Sequence, residues 1–410
     1  VLAYIIGVVL FALGIGIAVA LHEAGHMLTA KAFGMKVRRY FIGFGPKVFS
    51  FRRGDTEYGL KIIPAGGFCD IAGMTALDEV TPEEAPRAMW RYPTWKRVVV
   101  LVSGSVTHFI LGFIILYVMA VTSGLLNLSD KPLVGSVAPC ASNLDLKTLS
   151  SQPCQPGDPA PAKNAGLRAG DQIVSVGGQS TPTFTDVTTV VQRSHGPTRF
   201  VIERDGKQVT LTVDIATVQG LTLAEQAKPN PGKQPLTPIG MIGVVPAKYV
   251  SYNAATAFGG TLGFTGDMFV NVWDGIKQLP NKIPSLISAI GGAPRDPNSP
   301  MSVVGASRLG GQAVEQSQWS IFWLLLATLQ FFLGVFNLLP LLPLDGGHIA
   351  VALYEKVRNW LRGVLGRPAR GPVDYTKLAP LTLVVVFLGG AMVLLSVTAD
   401  IVNPISLTGQ

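Results

Sequence analysis

Four stretches of the chain are apolar over at least 25 residues: roughly Val1–Ala30, Val98–Leu126, Trp319–Leu344 and Leu378–Val402. A helix crosses the hydrocarbon layer in about 20 residues, so each stretch predicts a transmembrane helix, at 1–30, 98–126, 319–348 and 378–402. Between the first two, Val37–Phe41, Lys47–Phe51 and Tyr58–Ile62 are short alternating stretches. Gly43, Gly45-Pro46 and Gly54-Asp55 separate them, which predicts a small β-hairpin sheet against the membrane within 31–97. Thr75–Arg97 is charged and predicts a surface helix or loop. Residues 132–218 carry closely spaced strand patterns and predict a compact β-rich domain, followed by a linker and amphipathic helices over 219–318. Asn253–Ile290 is broken by Pro280 and Pro284 and carries Asp267, Asp274, Lys277 and Lys282, which disfavours a fifth crossing. The segment 349–377 reads as a basic loop.

Composition agrees with membrane residence. Only 14% of residues are charged, 48% are hydrophobic and the mean hydropathy is +0.39. A net charge of +8 could suit nucleic acid. The basic residues crowd beside the apolar runs instead, as the positive-inside rule requires, so no nucleic-acid partner is expected. Lys31–Arg97 holds twelve Lys/Arg against seven Asp/Glu, and Arg358, Arg362, Arg367, Arg370 and Lys377 precede the last run. Both segments are therefore expected in the cytoplasm. Leu125–Gln318, with fifteen basic and thirteen acidic residues, is expected outside together with both termini. The expected location is the plasma (inner) membrane, multi-pass, in contact with lipid. No cleavable signal is expected, because the first run is long and carries the residues considered next.

That first run ends in His22-Glu23-Ala24-Gly25-His26. Residues four apart share a helix face, so His22 and His26 can present two imidazoles to one ion. Glu23 sits one step round, placed to work on a water without ligating the metal. His-Glu-x-x-His on a helix is the spacing of a zinc hydrolase, and ionisable groups inside hydrocarbon are costly enough to be functional by default. One Zn2+ per chain is expected. A structural polar cluster is the bland alternative, but only five histidines occur in the chain and two take this spacing.

A catalytic zinc takes three protein ligands. Asp345 is the candidate for the third, since it ends an uncharged run and prolines and glycines free the backbone around it. Counting along straight helices from Val1 and Trp319, His22–His26 lie about 33–39 Å in and Asp345 about 39 Å in. That puts the site toward the cytoplasmic side. The competing reading of Asp345 is a helix-end residue at the lipid interface.

In the external region, Asn164-Ala165-Gly166-Leu167-Arg168-Ala169-Gly170-Asp171 and the strand pattern after it resemble a PDZ domain. A helix-like segment at Asp186–Gln192 and strands at Arg199–Arg204 and Val209–Asp214 follow in PDZ order. A PDZ fold implies a groove that takes a peptide tail or strand; a β-rich spacer is the alternative. Cys140 and Cys154, outside the cytoplasm, are candidates for a disulfide, whereas Cys69 is expected to remain a thiol.

Taken together, His22-Glu23-Ala24-Gly25-His26, Asn337…Pro340…Leu344-Asp345-Gly346, Gly43-Phe44-Gly45-Pro46 and Pro64-Ala65-Gly66-Gly67-Phe68 resemble the site-2 protease family of intramembrane zinc metalloproteases. The likeness spans nearly the whole chain. The external cysteines and Pro300–Gly305 are similar to actinobacterial members that act on anti-sigma factors in regulated intramembrane proteolysis. The resemblance implies His22, His26 and Asp345 as zinc ligands and Glu23 as general base. It implies Asn337 and the hairpin around Gly43, Phe44 and Gly45 as substrate contacts. Where many relatives read Ala-Gly-Pro-x-x-Asn, this chain reads Ser103-Gly104-Ser105-Val106-Thr107-His108, which leaves the role of the second helix open.

The fold expected is an α-helical polytopic membrane protein with four transmembrane helices, a membrane-associated cytoplasmic β-hairpin sheet and an extracytoplasmic PDZ (α+β) domain. The function expected is hydrolysis of a peptide bond in or near the membrane segment of single-span proteins, such as anti-sigma factors already trimmed outside. A PDZ size gate would hold back untrimmed ones. The rival reading is a non-catalytic, metal-binding membrane scaffold that docks partner tails through its PDZ domain. A transporter is weaker, because the intramembrane polar groups gather at one place.

Overall fold

The computed structural model describes residues 1–75, 78–228, 230–296 and 298–407. Part of the surface segment Thr75–Arg97 and the side chains of Pro64 and Ala65 lie outside the described residues. In chain order the main helices are α1 (Leu2–Ala32), α2 (Thr94–Thr122), α3 (Phe184–Arg193), α4 (Ala254–Ile290), α5 (Val303–Glu315), α6 (Trp319–Asn337), α7 (Asp345–Val364) and α8 (Ala379–Val402). Among the described residues, four helices are long and apolar enough to cross a membrane: α1, α2, α6, and α8 with its preceding turn, Tyr375–Val402. The chain is a multi-pass membrane protein. It forms two compact units, Val1–Met119 with Thr261–Gln410, and Ala120–Gly260.

In the first unit, helices approach closely where glycine leaves room. A Cβ at Gly7 of α1 would stand 2.8 Å from Gly311 Cα of α5. A Cβ at Gly25 would stand 2.7 Å from the Ser103 carbonyl oxygen of α2. Phe109, Phe269 and Phe331 lock α2, α4 and α6 through edge contacts with centroids 4.9 and 5.3 Å apart. Asn253–Ile290, expected as several amphipathic pieces, is one helix from Ala254 to Ile290 that contains both prolines.

The expected hairpin is two long strands, β1 (Val37–Arg53) and β2 (Thr56–Ile71), joined at Gly54-Asp55. Each strand bends back on itself. Tyr40 pairs with both Cys69 and Tyr58, and Phe41 with both Phe68 and Gly59. The patch therefore runs in the order 47–53, 56–62, 39–42, 67–71, and 67–71 forms one edge. Tyr40 donates its hydroxyl to the Ala20 carbonyl at 2.7 Å, tying the patch to α1. Arg38 grips both carboxylate oxygens of Glu84 at 2.9 and 2.7 Å and Asp78 at 2.8 Å, which holds the following segment onto β1.

Two expectations along 319–377 are corrected. The apolar run does not continue as one helix to residue 348: α6 stops at Asn337, and Asp345 opens a separate helix. Pro340 and Pro343 lack amide hydrogens and clash with a preceding helical turn, so Leu338–Leu344 turns instead. The first turn of α7 packs on that turn, where a Cβ at Gly347 would meet the Leu341 carbonyl carbon at 2.6 Å. The basic stretch after 348 is helical to Val364 rather than a loop.

The second unit holds a five-stranded sheet. Its strands are β3 (Gln172–Val176), β4 (Gln179–Ser180), β5 (Gly196–Arg204), β6 (Lys207–Gly220) and β7 (Thr237–Met241), in the order β7-β6-β5-β3-β4. α3 packs on it around Ile173, Phe200, Ile202 and Val213. Thr183 and Asp186 close a capping box at the N-terminus of α3. Cys140 and Cys154 are joined by a disulfide. Cys69 is a free thiol, and burial pushes its titration far above the ordinary value, so it stays protonated and unreactive.

Candidate metal centre

The local fold of α1 and α2 decides where the imidazoles point. Nδ1 of His26 donates to the Val100 carbonyl at 2.7 Å, which fixes the tautomer and leaves the Nε2 lone pair directed inward. Thr29 Oγ1 lies 3.0 Å from Ser103 Oγ, and the absent side chain of Gly25 lets the helices touch at this level. His22 and His26 are both buried. Their Nε2 atoms stand 3.1 Å apart. Across the gap, Asp345 brings Oδ2 to 3.2 Å from His22 Nε2 and 3.3 Å from His26 Nε2. An acid in the first turn of α7 also complements the positive end of that helix.

These separations can be tested against an ion. Ligands at about 2.05 Å from a tetrahedral zinc lie about 3.3 Å from one another. The observed triangle matches. Among the described residues these three form the group whose ligand atoms all lie within 4.8 Å of one another. The inward lone pair of His26 and the Asp345 carboxylate would repel without a positive charge between them. A cradle confirms the fit: a Cβ at Gly104 would sit 2.6 Å from His22 Cε1 and 2.7 Å from His22 Nε2, so α2 must present a bare backbone here.

Glu23 stands beside this triangle and outside it. It lines a cavity of about 140 Å³ with His26, Asp345, Gly67, Phe68 and Cys69. Its Cγ would be 3.1 Å from a Cβ at Gly67, so the bare backbone of that strand leaves room for it. The carboxylate is therefore held between the ion site and the open edge of the hairpin patch. A larger cavity of about 460 Å³ is lined only by residues of the second unit and holds none of these groups.

The remaining expected site residues fall elsewhere. Gly43, Phe44 and Gly45 do not line the cavity; Gly43 and Gly45 adopt φ of 89° and 81° at the far bend of β1. Phe44 is linked back by stacking on Phe68 at 6.2 Å. Asn337 is the last residue of α6, half-buried and outside the cavity lining. His108 joins no ligand set. Its Nδ1 lies 2.8 Å from Gln330 Oε1, and its ring lies 5.0 Å from that of His22. Sequence reading missed Gly104 and the edge Gly67–Ile71. The small-residue run Ser103-Gly104-Ser105 was the available signal for the first, and Gly66-Gly67 for the second.

A two-histidine, one-carboxylate cluster with a free glutamate beside it, set between membrane helices, defines a membrane-embedded metallohydrolase. Comparison with known proteins narrows the class. Residues 10–364 match the model of peptidase family M50. The chain is 47% identical over 411 residues to zinc metalloprotease Rip1 of Mycolicibacterium smegmatis, covering 98% of each. It is 46% identical over 408 residues to Rip1 of Mycobacterium tuberculosis, covering 98% of this chain and 99% of that one. Metalloprotease MmpA of Caulobacter vibrioides is 29% identical over 374 residues, 84% of this chain and 85% of its own. The chain belongs to peptidase family M50, the site-2 protease family, and is a metallopeptidase.

Proposed function

We propose that this peptidase is a zinc-dependent endopeptidase that cuts single-span membrane proteins in or near their membrane segment, with anti-sigma factors as the substrate class. The observation that carries the reading is the His22–His26–Asp345 triangle with Glu23 free beside it. His22, His26 and Asp345 hold the zinc, one ion per chain. When bound, zinc supplies Lewis acidity toward the scissile carbonyl. Glu23 accepts the proton of the attacking water and delivers it to the leaving amine.

A helical substrate hides its backbone in its own hydrogen bonds and must unwind before it is cut. Among the described residues, 67–71 pair with β1 on one side only, so an unwound segment adds to their other edge, beside Glu23. Gly43–Gly45 and Asn337 contact substrate further from the reacting bond. The second unit is a PDZ domain, supported by its sheet order and the capped α3, and takes a peptide tail or strand. It lies outside the cytoplasm with both termini, supported by the basic flanks at Lys31–Arg97 and Arg358–Lys377. There it admits trimmed substrates and holds back intact ones. Deleting it should abolish that discrimination; unchanged discrimination refutes the gate.

The test is purified protein in detergent with single-span candidates, wild type against Glu23→Gln. The proposal expects fragments from the wild type only, with full zinc in both. Cleavage by Glu23→Gln overturns the role of Glu23. Zinc binding with no cleavage by either protein supports the scaffold reading instead.

A further inference from the structure

The helix that carries Asp345 has a face that the protein leaves uncovered. Leu353, Tyr354, Val357, Trp360, Leu361 and Val364 are all exposed, Trp360 at 66% and Val364 at 69%. At 100° per residue they fall within an arc of about 120°. Lys356 and Arg358 flank that arc on its two sides, and the opposite face carries the buried Ala352 and Glu355. With Asp345, Glu355, Lys356, Arg358 and Arg362 in twenty residues, α7 is too charged to cross hydrocarbon.

Two fixed points place α7 relative to the membrane helices. Asp345 meets the imidazoles beside Gly104 of α2. Ten residues on, Glu355 accepts from Arg97 at 2.7 Å, a pair almost out of solvent, near the first turn of α2. Gly104 to Arg97 is about 10 Å along α2. So α7 climbs from the depth of the ion site to the end of α2, and Leu353–Val364 rises through the level where lipid headgroups begin.

The charge around the arc matches that level. Arg358 donates to the carbonyls of Arg370 and Gly371, and Arg362 to that of Pro368 at 2.8 Å, so the following loop is strapped to the helix. Lys356, Arg367, Arg370 and Lys377 are each exposed, and none makes an ion pair among the described residues.

We propose that the second half of α7 is an interfacial anchor: its apolar arc lies among the acyl chains at the rim of the leaflet nearer the ion site, and Lys356, Arg367, Arg370 and Lys377 bind anionic phospholipid headgroups. This is the charge and shape of an amphipathic helix that enters the interface obliquely, with long cationic side chains reaching up to the headgroups. Asp345 is the first residue of the same rigid element, so seating α7 on anionic lipid also holds Asp345 against the imidazoles. That last step rests on the proposed metal role of Asp345; the anchor itself does not.

The test uses the full chain in nanodiscs of phosphatidylcholine alone or with phosphatidylglycerol. Nitroxides are placed by Val364→Cys on the arc and Gly363→Cys on the polar side; unsubstituted protein controls for Cys69. Oxygen should relax the label at 364 and a water-soluble nickel chelate the label at 363. Nickel access at 364 overturns the anchor, and protection of 364 from both reagents shows a protein partner or second copy there instead. Phosphatidylglycerol should deepen the label at 364, whereas inorganic phosphate added to phosphatidylcholine discs should not. Replacing Lys356, Arg367 and Arg370 by Gln should weaken the anionic effect about fivefold per residue. Equal depth in both discs overturns headgroup binding. Zinc should resist a chelator longer in the anionic discs; equal retention with the depth shift intact overturns only the link to Asp345. Discs that hold no zinc at all refute the metal assignment and leave the depth result standing.

Discussion

Gly104→Ala tests the ion site without touching a ligand. The added Cβ would meet His22 Cε1 at 2.6 Å and His22 Nε2 at 2.7 Å, where ordinary contact begins near 3.4 Å. The imidazoles must retreat by about 0.7 Å, against a tolerance of about 0.2 Å in a zinc–ligand distance. Such a shift removes at least one ligand from bonding range. Zinc affinity should fall by about two orders of magnitude, about 2.7 kcal/mol, beside an overpacking cost of about 1–3 kcal/mol in the apo-protein. Gly16→Ala is the matched control: it lies in α1, a Cβ there meets nothing within 4 Å, and alanine should raise stability by about 0.5–1 kcal/mol. The assay is zinc per chain by elemental analysis after chelator competition, with thermal unfolding read in parallel. Gly104→Ala retaining zinc as the wild type does would refute the packing on which the site is built.

Other perturbations reach other parts of the account. Asp345→Asn keeps the shape of α7 and removes the charge, so zinc occupancy should fall while the melting temperature of zinc-free protein changes little; a large loss there would make Asp345 structural. Arg97→Met strands the buried Glu355 carboxylate and should cost about 3–5 kcal/mol, seen as a lowered melting temperature, whereas an unchanged melt would mean the pair is solvated. Arg38 beside Glu84 holds that carboxyl below its ordinary 4.5. A depressed carboxylate stabilises fully above its unfolded value and loses that contribution as pH falls through the folded one. Protection factors of the Val37–Tyr40 amides, taken relative to the intrinsic exchange rate at each pH, should therefore fall on acidification in the wild type and not in Arg38→Met. Reducing the disulfide, or Cys154→Ser, should destabilise the second unit by about 3 kcal/mol, with the first unit unmoved.

The sequence was most legible where one period governs the local structure. Apolar runs of helical length located all four spanning helices, and the four-residue spacing of His22 and His26 survived folding because one helix carries both. Asp345 was found by its chemistry, on a wrong picture of its support. Counting a straight helix from Trp319 matched it with the imidazoles it meets, although Pro340 and Pro343 break the helix and Asp345 is carried by the first turn of α7. The doubled pairing of Tyr40 and Phe41 was out of reach, because alternation shows which residues can be strands and not which strand they join. Gly104 was hidden for a related reason. A glycine shows what it makes room for only once the neighbouring helix is in place.

The central claim is that one zinc is held by His22, His26 and Asp345. X-ray absorption at the zinc edge of the purified protein, read beside Asp345→Ala, tests it most directly. The account predicts a low-coordinate site with two imidazoles and carboxylate oxygen at about 2.0–2.1 Å, and loss of an oxygen neighbour in the variant. A sulfur neighbour, a single imidazole, or an identical spectrum from Asp345→Ala would contradict it.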